Sequence, residues 1–139
     1  MSNRTTNTEQ AVELLKELIS IERVSRNEKN AADIVYNWFT GHNYTPERIC
    51  NNIICKSHYW NDSKPTILLN SHIDTVKPVS AWTKNPFEPV VEDGKLYGLG
   101  SNDAGASLVS LMHTFCNLDK VEQNYNMIFV ASAEEEVSG

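Results

Sequence analysis

Two short, uninterrupted apolar runs most constrain the fold of this chain. Residues 66–69 follow a proline, and residues 127–131 lead directly into three consecutive glutamates. Continuous apolar runs of this length are typical of strands that are buried on both faces of a sheet. The sequence therefore predicts two interior strands, and polar side chains follow the carboxyl end of each.

Amphipathic helices flank these runs. Residues 8–19 and 103–116 place apolar side chains at helical spacing along one face. A further helix, ending at Gly41, follows Ser25 and Glu28, which have the spacing of a capping box. Helices that alternate with buried strands predict an α/β domain with a mixed, mainly parallel sheet and helices on both faces.

Composition argues against several classes of partner. The 139 residues include 12 Lys and Arg against 18 Asp and Glu, a net charge of −6, which disfavours nucleic acid and anionic membranes as ligands. No apolar run approaches the roughly 18 residues of a spanning helix. Three cysteines without a CxxC pair predict neither disulfides nor a cysteine zinc site. We expect a soluble, cytoplasmic protein with a disordered tail at residues 1–7 and one domain over residues 8–139.

Residues with metal-binding chemistry follow both strands. His72 and Asp74 come after the first strand, and in an extended segment their side chains point to the same side. Such a pair either shares a metal or leaves the aspartate to orient the imidazole. Polar groups beyond the carboxyl ends of strands line the ligand crevice of an α/β sheet. We therefore expect His72, Asp103 and the glutamates of residues 134–136 at one edge, where a cation would relieve the repulsion between adjacent carboxylates.

Each motif also has a simpler structural interpretation. His72 and Asp74 can end a strand and cap a turn. Asp103 can cap the helix that follows it, and residues 134–136 can lie on a solvated loop. Residues 100–107 have the glycine spacing and final serine of a phosphate-binding loop, although an alanine replaces its lysine. The residues alone leave three functions open: a metal-dependent hydrolase, a phosphate-binding module and a non-catalytic α/β domain.

Three segments, taken in order, resemble one enzyme family. They are LLNSHIDTV at residues 68–76, LYGLGSNDAG at residues 96–105 and SAEEE at residues 132–136. Their order and spacing are similar to those of the di-zinc amidohydrolases that include acetylornithine deacetylase, succinyl-diaminopimelate desuccinylase, aminoacylase and glutamate carboxypeptidase. The motifs look closest to acetylornithine deacetylase-like members. The resemblance implies a zinc-peptidase-like fold, of which this chain would be the N-terminal part of the catalytic domain.

The resemblance also implies a role for each site residue. His72 would bind one metal, Asp103 would bridge two, and Glu136 would bind the second. Asp74 would orient His72, and Glu135 would act as the general base. None of these roles follows from composition or spacing alone.

The resemblance further implies the cofactors and the substrate. The cofactors would be two divalent ions, zinc or else cobalt, and the substrate would be a small N-acylated amino acid such as N-acetyl- or N-succinylornithine, within arginine biosynthesis. Three positions depart from the family pattern: Glu134 stands for an aspartate, Ala104 for the lysine or other residue before the glycine pair, and Ala106 for the second glycine. None of them is an implied ligand. The family's further ligands and its lid or dimerisation domain lie beyond these motifs, which leaves a homodimer open for the full-length protein. We expect the 139 residues alone to bind metal weakly and to show little or no turnover.

Overall fold

The computed structural model describes residues 7–138 of the chain. An irregular turn, Ser101–Ala106, precedes α3. None of the helices in this described part is long and apolar enough to cross a bilayer. The helices and strands, in chain order, are α1 (Asn7–Ile19), α2 (Lys29–Gly41), β1 (Glu47–Ile49), β2 (Asn52–Lys56), β3 (Thr66–His72), β4 (Val90–Glu92), β5 (Lys95–Tyr97), α3 (Ser107–Leu118), β6 (Asn126–Ser132) and α4 (Glu135–Ser138).

The three longer helices lie where the apolar stripes predict them, with differences at their ends. Each buries one stripe of side chains, such as Leu14, Leu15 and Leu18 in α1. The first helix begins at Asn7, inside the predicted tail, and residues 1–6 of that tail lie outside the described residues. The third begins at Ser107 rather than at residue 103, because the backbone ahead of it is not helical.

The main sheet has the strand order β1-β2-β6-β3. One of the two interior strands, β6, pairs antiparallel with β2 and parallel with β3. The mixed α/β class is therefore confirmed, but one of the three pairings is parallel, so the expectation of a mainly parallel sheet is wrong. Two pairings are antiparallel because a two-residue turn at Cys50 and Asn51 makes β1 and β2 a hairpin, and β2 in turn runs antiparallel to β6.

The helices α1, α2 and α3 pack on one face of this sheet. Their buried side chains share a single core cluster with alternate strand residues, including Ile53, Phe129 and Ala131. On the opposite face Leu68 is 60% exposed. Two expectations are therefore wrong for the described residues: helices do not cover both faces, and residues 66–69 are not buried on both sides. The cause is that β3 is an edge strand whose outer face meets no helix of this part of the chain.

The parallel pairing of β3 with β6 determines where the motifs meet. His72 lies opposite Ser132 in the register, and the amide of Ile73 donates to the Ser132 carbonyl at 2.8 Å. The two strands therefore end at the same edge. This places the residue after each strand, and the turn that begins at Ser101, within reach of one another.

Candidate metal centre

The imidazole of His72 lies between two groups of carboxylates. Its Nε2 atom is 3.1 Å from Asp103 Oδ1 and 3.8 Å from Glu135 Oε2. Its Nδ1 atom faces Asp74, at 3.1 Å from the carbonyl oxygen and 3.2 Å from Oδ1. One ring nitrogen thus points toward two exposed acids, and the other is held by a buried acid.

Four of the predicted site residues come together at this edge. Ligand atoms of His72, Glu135 and Glu136 lie within 4.8 Å of one another. Asp103 is not in that set of three, and it joins the cluster through its contact with His72. An imidazole nitrogen with several carboxylate oxygens is a donor set that zinc and other divalent ions accept. The residues present therefore fit a divalent metal.

Asp74 is fully buried behind His72 and connects it to the glutamates. Its carboxylate accepts hydrogen bonds from Ser25 Oγ at 2.6 Å, from the Glu136 amide at 3.0 Å and from the Glu135 amide at 3.2 Å. Burial by itself raises the pKa of Asp74, but these donors and its own backbone amide together outweigh burial, and the pKa is lowered. Asp74 is therefore a carboxylate at neutral pH. It can accept a hydrogen bond from the Nδ1–H group of His72.

The backbone of the glutamate turn is held by side chains from distant segments. Besides the two amides on Asp74, the Ala133 amide donates to Asn52 Oδ1 at 2.9 Å and the Glu134 amide donates to Glu28 Oε1 at 3.2 Å. Glu28 is itself fully buried. Four successive amides are thus satisfied by three side chains, which orders the turn more than a solvated loop requires.

The electrostatics of the cluster favour a cation. Burial, and next the carboxylate of Asp103, raises the pKa of Glu136, although His72 acts in the opposite direction. A carboxylate crowded by other carboxylates gains from any nearby positive charge, and a divalent ion is the strongest local source of it. The arrangement of acids therefore agrees with the donor chemistry.

Two structural interpretations of the sequence do not hold. Asp103 does not cap α3, because the helix begins four residues later, at Ser107, and its N-cap residue is Ala106. Ser25 and Glu28 do not form a capping box, because α2 has no side-chain cap and Ser25 donates to Asp74 instead. Sequence reasoning missed both as supports of the site. The only signal was the presence of two polar residues that a helix cap explained equally well.

A cleft of about 270 Å³ opens beside the cluster, lined by Thr75, Val76, Glu136 and residues 98–103. Asp103 and Glu136 in its wall would repel a phosphate. The amide of Gly105, moreover, already donates within the turn, to the carbonyl of Gly100 at 2.9 Å. The geometry therefore disfavours the phosphate-binding alternative. A larger groove of about 570 Å³ lies along α1 and holds none of the predicted site residues.

Comparison with known proteins finds one family model and several relatives that match this chain. A family model described as Peptidase family M20/M25/M40 matches residues 68–139, more than half of the chain. An uncharacterized metallohydrolase of Methanocaldococcus jannaschii is 39% identical over 90 residues, 60% of this chain and 22% of that protein. A succinyl-diaminopimelate desuccinylase of Wolbachia pipientis is 28% identical over 131 residues, 89% and 33% of the two chains. An acetylornithine deacetylase of Shigella sonnei is 36% identical over 73 residues, 52% and 19% of the two chains.

A solved structure shares the fold. A dinuclear metal-binding peptidase of the M20 family from Bacillus subtilis superposes with a TM-score of 0.70 at 17% identity, covering 94% of this chain and 36% of that one. The chain thus spans about a third or less of the three curated relatives, and little more of the solved structure.

Proposed function

The chain belongs to peptidase family M20/M25/M40, and from that membership we propose that it forms part of a metal-dependent enzyme that hydrolyses the amide bond of an N-acylated amino acid. The meeting of His72, Asp103, Glu135 and Glu136 at one sheet edge carries this proposal. The names of two relatives, a deacetylase and a desuccinylase, support an acylated amino acid as substrate. An acetylornithine-like substrate is the specific case we propose.

In this proposal His72, Asp103 and Glu136 would hold two divalent ions, with Asp103 shared between them. Zinc suits the mixture of nitrogen and oxygen donors, and cobalt is the alternative. The description of the Bacillus subtilis peptidase as dinuclear supports the number of ions. When bound, such ions polarise the substrate carbonyl and lower the pKa of water.

The protein's own residues supply proton transfer and orientation. Glu135 is 53% exposed and adjoins His72, so its carboxylate can take a proton from water and deliver it to the leaving amine. Asp74 holds the Nδ1 side of His72, which keeps the Nε2 lone pair turned toward the acids. We expect the substrate in the cleft beside Asp103 and Glu136.

The free cysteines of the described part support a cytoplasmic location.

Metal content tests the proposal. The measurement uses the 139-residue chain both alone and with a C-terminal extension to the length of its relatives, each loaded with zinc or cobalt. We expect stoichiometric metal and hydrolysis of N-acetyl or N-succinyl amino acids in the extended protein, and weak binding in the short chain. His72→Ala and Asp103→Ala should remove metal. Glu135→Gln should keep it and lower kcat by about 10²- to 10⁴-fold, as expected for loss of a general base.

A matched control is His58→Ala. His58 also pairs with an acid, Asp119, at 2.6 Å, but it follows β2 at the other end of the sheet. This variant should keep both metal and activity. Absence of metal from the extended protein, or turnover that a chelator does not affect, would overturn the proposed function. Full activity of the short chain would contradict only the expectation that it is inactive alone.

A further inference from the structure

A buried arginine joins the two halves of the candidate metal centre. Arg23, in the connection between α1 and α2, is 1% exposed. Its Nη1 donates to the carbonyl of Ile73 at 2.7 Å, and its Nη2 donates to the carbonyl of Gly100 at 3.0 Å. Its own carbonyl accepts from the amide of Thr75 at 3.0 Å. One side chain and its backbone therefore tie three segments together.

Both carbonyls belong to segments that carry the acids and the imidazole. Ile73 lies between His72 and Asp74, and Gly100 begins the turn that leads to Asp103. The two segments are far apart in the chain and do not pair as strands in the described sheet. A planar guanidinium holds its N–H groups at a constant spread, so it sets the distance between the two carbonyls.

The glycines of the second motif make room for this guanidinium. A Cβ on Gly100, whose φ is +70°, would lie 2.6 Å from Arg23 Nη2 and 2.5 Å from Thr75 Cγ2. A Cβ on Gly105 would lie 2.5 Å from the Gly100 carbonyl oxygen and 3.2 Å from the same Nη2. The turn is therefore closed tightly around the arginine, and any side chain at either glycine would push it away.

A buried cation is costly, which argues against a role in packing alone. Burial lowers the pKa of Arg23 to about 10, while the charge of Asp74 opposes that change, so the side chain stays charged at neutral pH. Its Nε atom has no hydrogen-bond partner among the described residues. Apolar side chains of similar volume commonly stabilise such a position as well or better. What an apolar side chain cannot do is hold two carbonyls at a set separation.

We propose that Arg23 is a positioning residue that sets the separation of His72 and Asp103 for metal binding. This inference rests on the proposed function, because it concerns the same metal centre. Arg23 donates to no side chain of the metal centre. It acts on that centre through the backbone carbonyls of Ile73 and Gly100. Loss of a group that orients metal ligands typically weakens metal affinity by about 10- to 100-fold, and that range is the effect expected here.

The test is a metal titration of the extended protein after its metal has been removed. Binding of Zn²⁺ is measured by calorimetry, and the Co²⁺ absorption spectrum reports ligand geometry. Arg23→Met should weaken binding by about 10- to 100-fold and alter the cobalt spectrum. Arg23→Lys keeps the charge but cannot span both carbonyls, so it should fall between Arg23→Met and the wild type. Urea unfolding of each metal-free variant measures its stability separately.

Asn126→Ala is the matched control. Asn126 is equally buried, and its Nδ2 also donates to two backbone carbonyls, those of Asn61 at 2.8 Å and Lys64 at 3.2 Å. It lies at the opposite end of β6 from the metal centre, about 20 Å away at the rise of a strand. This variant should lose stability and keep its metal affinity and cobalt spectrum.

The outcomes separate the two proposals. If the Arg23 variants lose stability as Asn126→Ala does but bind metal within twofold of the wild type, Arg23 is only structural. If Arg23→Met does not fold, Arg23→Lys decides in the same way. If wild type and His72→Ala both lack stoichiometric metal, the proposed function fails and the role of Arg23 fails with it.

Discussion

Glu28→Ala should be one of the most destabilising single truncations outside the apolar core. The carboxylate is fully buried, and Oε1 accepts from the amides of Arg26 at 2.7 Å and Glu134 at 3.2 Å. Oε2 accepts from Asn51 Nδ2 at 3.2 Å. Each amide left without an acceptor costs about 1–3 kcal/mol. Alanine keeps Cβ, so loss of the one remaining buried methylene, Cγ, adds about 0.8 kcal/mol. We therefore expect the free energy of unfolding to fall by roughly 4 kcal/mol, a large part of the 5–15 kcal/mol typical of a domain.

Urea unfolding followed by far-ultraviolet circular dichroism measures this loss. Glu28→Gln keeps the methylenes and one oxygen for both amides, so it should cost only about 1–2 kcal/mol. Glu13→Ala is the control for a surface acid, since Glu13 is mostly exposed and pairs only with Lys16; its free energy of unfolding should equal that of the wild type. A loss below about 1 kcal/mol for Glu28→Ala would refute the reasoning, because two buried amides would then cost almost nothing.

Three further measurements follow from the structure. Iodoacetamide at pH 8 should label exposed Cys50 first, because burial raises the pKa of Cys55 to about 12 and of Cys116 to about 11. Labelling of Cys116 should accelerate as the pH approaches 11. Mass spectrometry reads the labelling of each thiol, and equal labelling of all three at pH 8 would contradict the expected order. Tyr44→Phe removes a 2.8 Å hydrogen bond to the buried carboxylate of Asp119 and should lower the free energy of unfolding by about 1–2 kcal/mol in urea. Leu68→Thr should leave the urea midpoint unchanged, because that side chain is mostly exposed; a clear drop would show that the outer sheet face is covered.

The helices and the site-bearing strands follow from patterns among neighbouring residues. The stripes that predict α1 and α2 are present in the structure as their buried faces. The apolar runs at residues 66–69 and 127–131 lie within β3 and β6. Periodicity records which side of an element is apolar, and that property does not depend on which partner covers it.

Strand order and burial depend on partners, and local patterns did not reveal them. The run at residues 66–69 has the same composition whether its strand is interior or at an edge, and the structure leaves Leu68 exposed on the outer face. Likewise, the turn at Cys50 and Asn51 joins β1 to β2, but it does not determine that β2 pairs antiparallel with β6. Elements far apart in the chain decide both features.

The same division applies to the candidate site. Residue type and position after a strand are local properties, and they pointed to His72, Asp74 and Asp103 as candidate metal-binding residues. Local patterns predicted a helix cap for Glu28, whereas in the folded chain its carboxylate accepts from the amide of Glu134, 106 residues away. Spacing along the chain specifies which donors and acceptors are present, whereas folding brings distant segments together and determines which donor meets which acceptor.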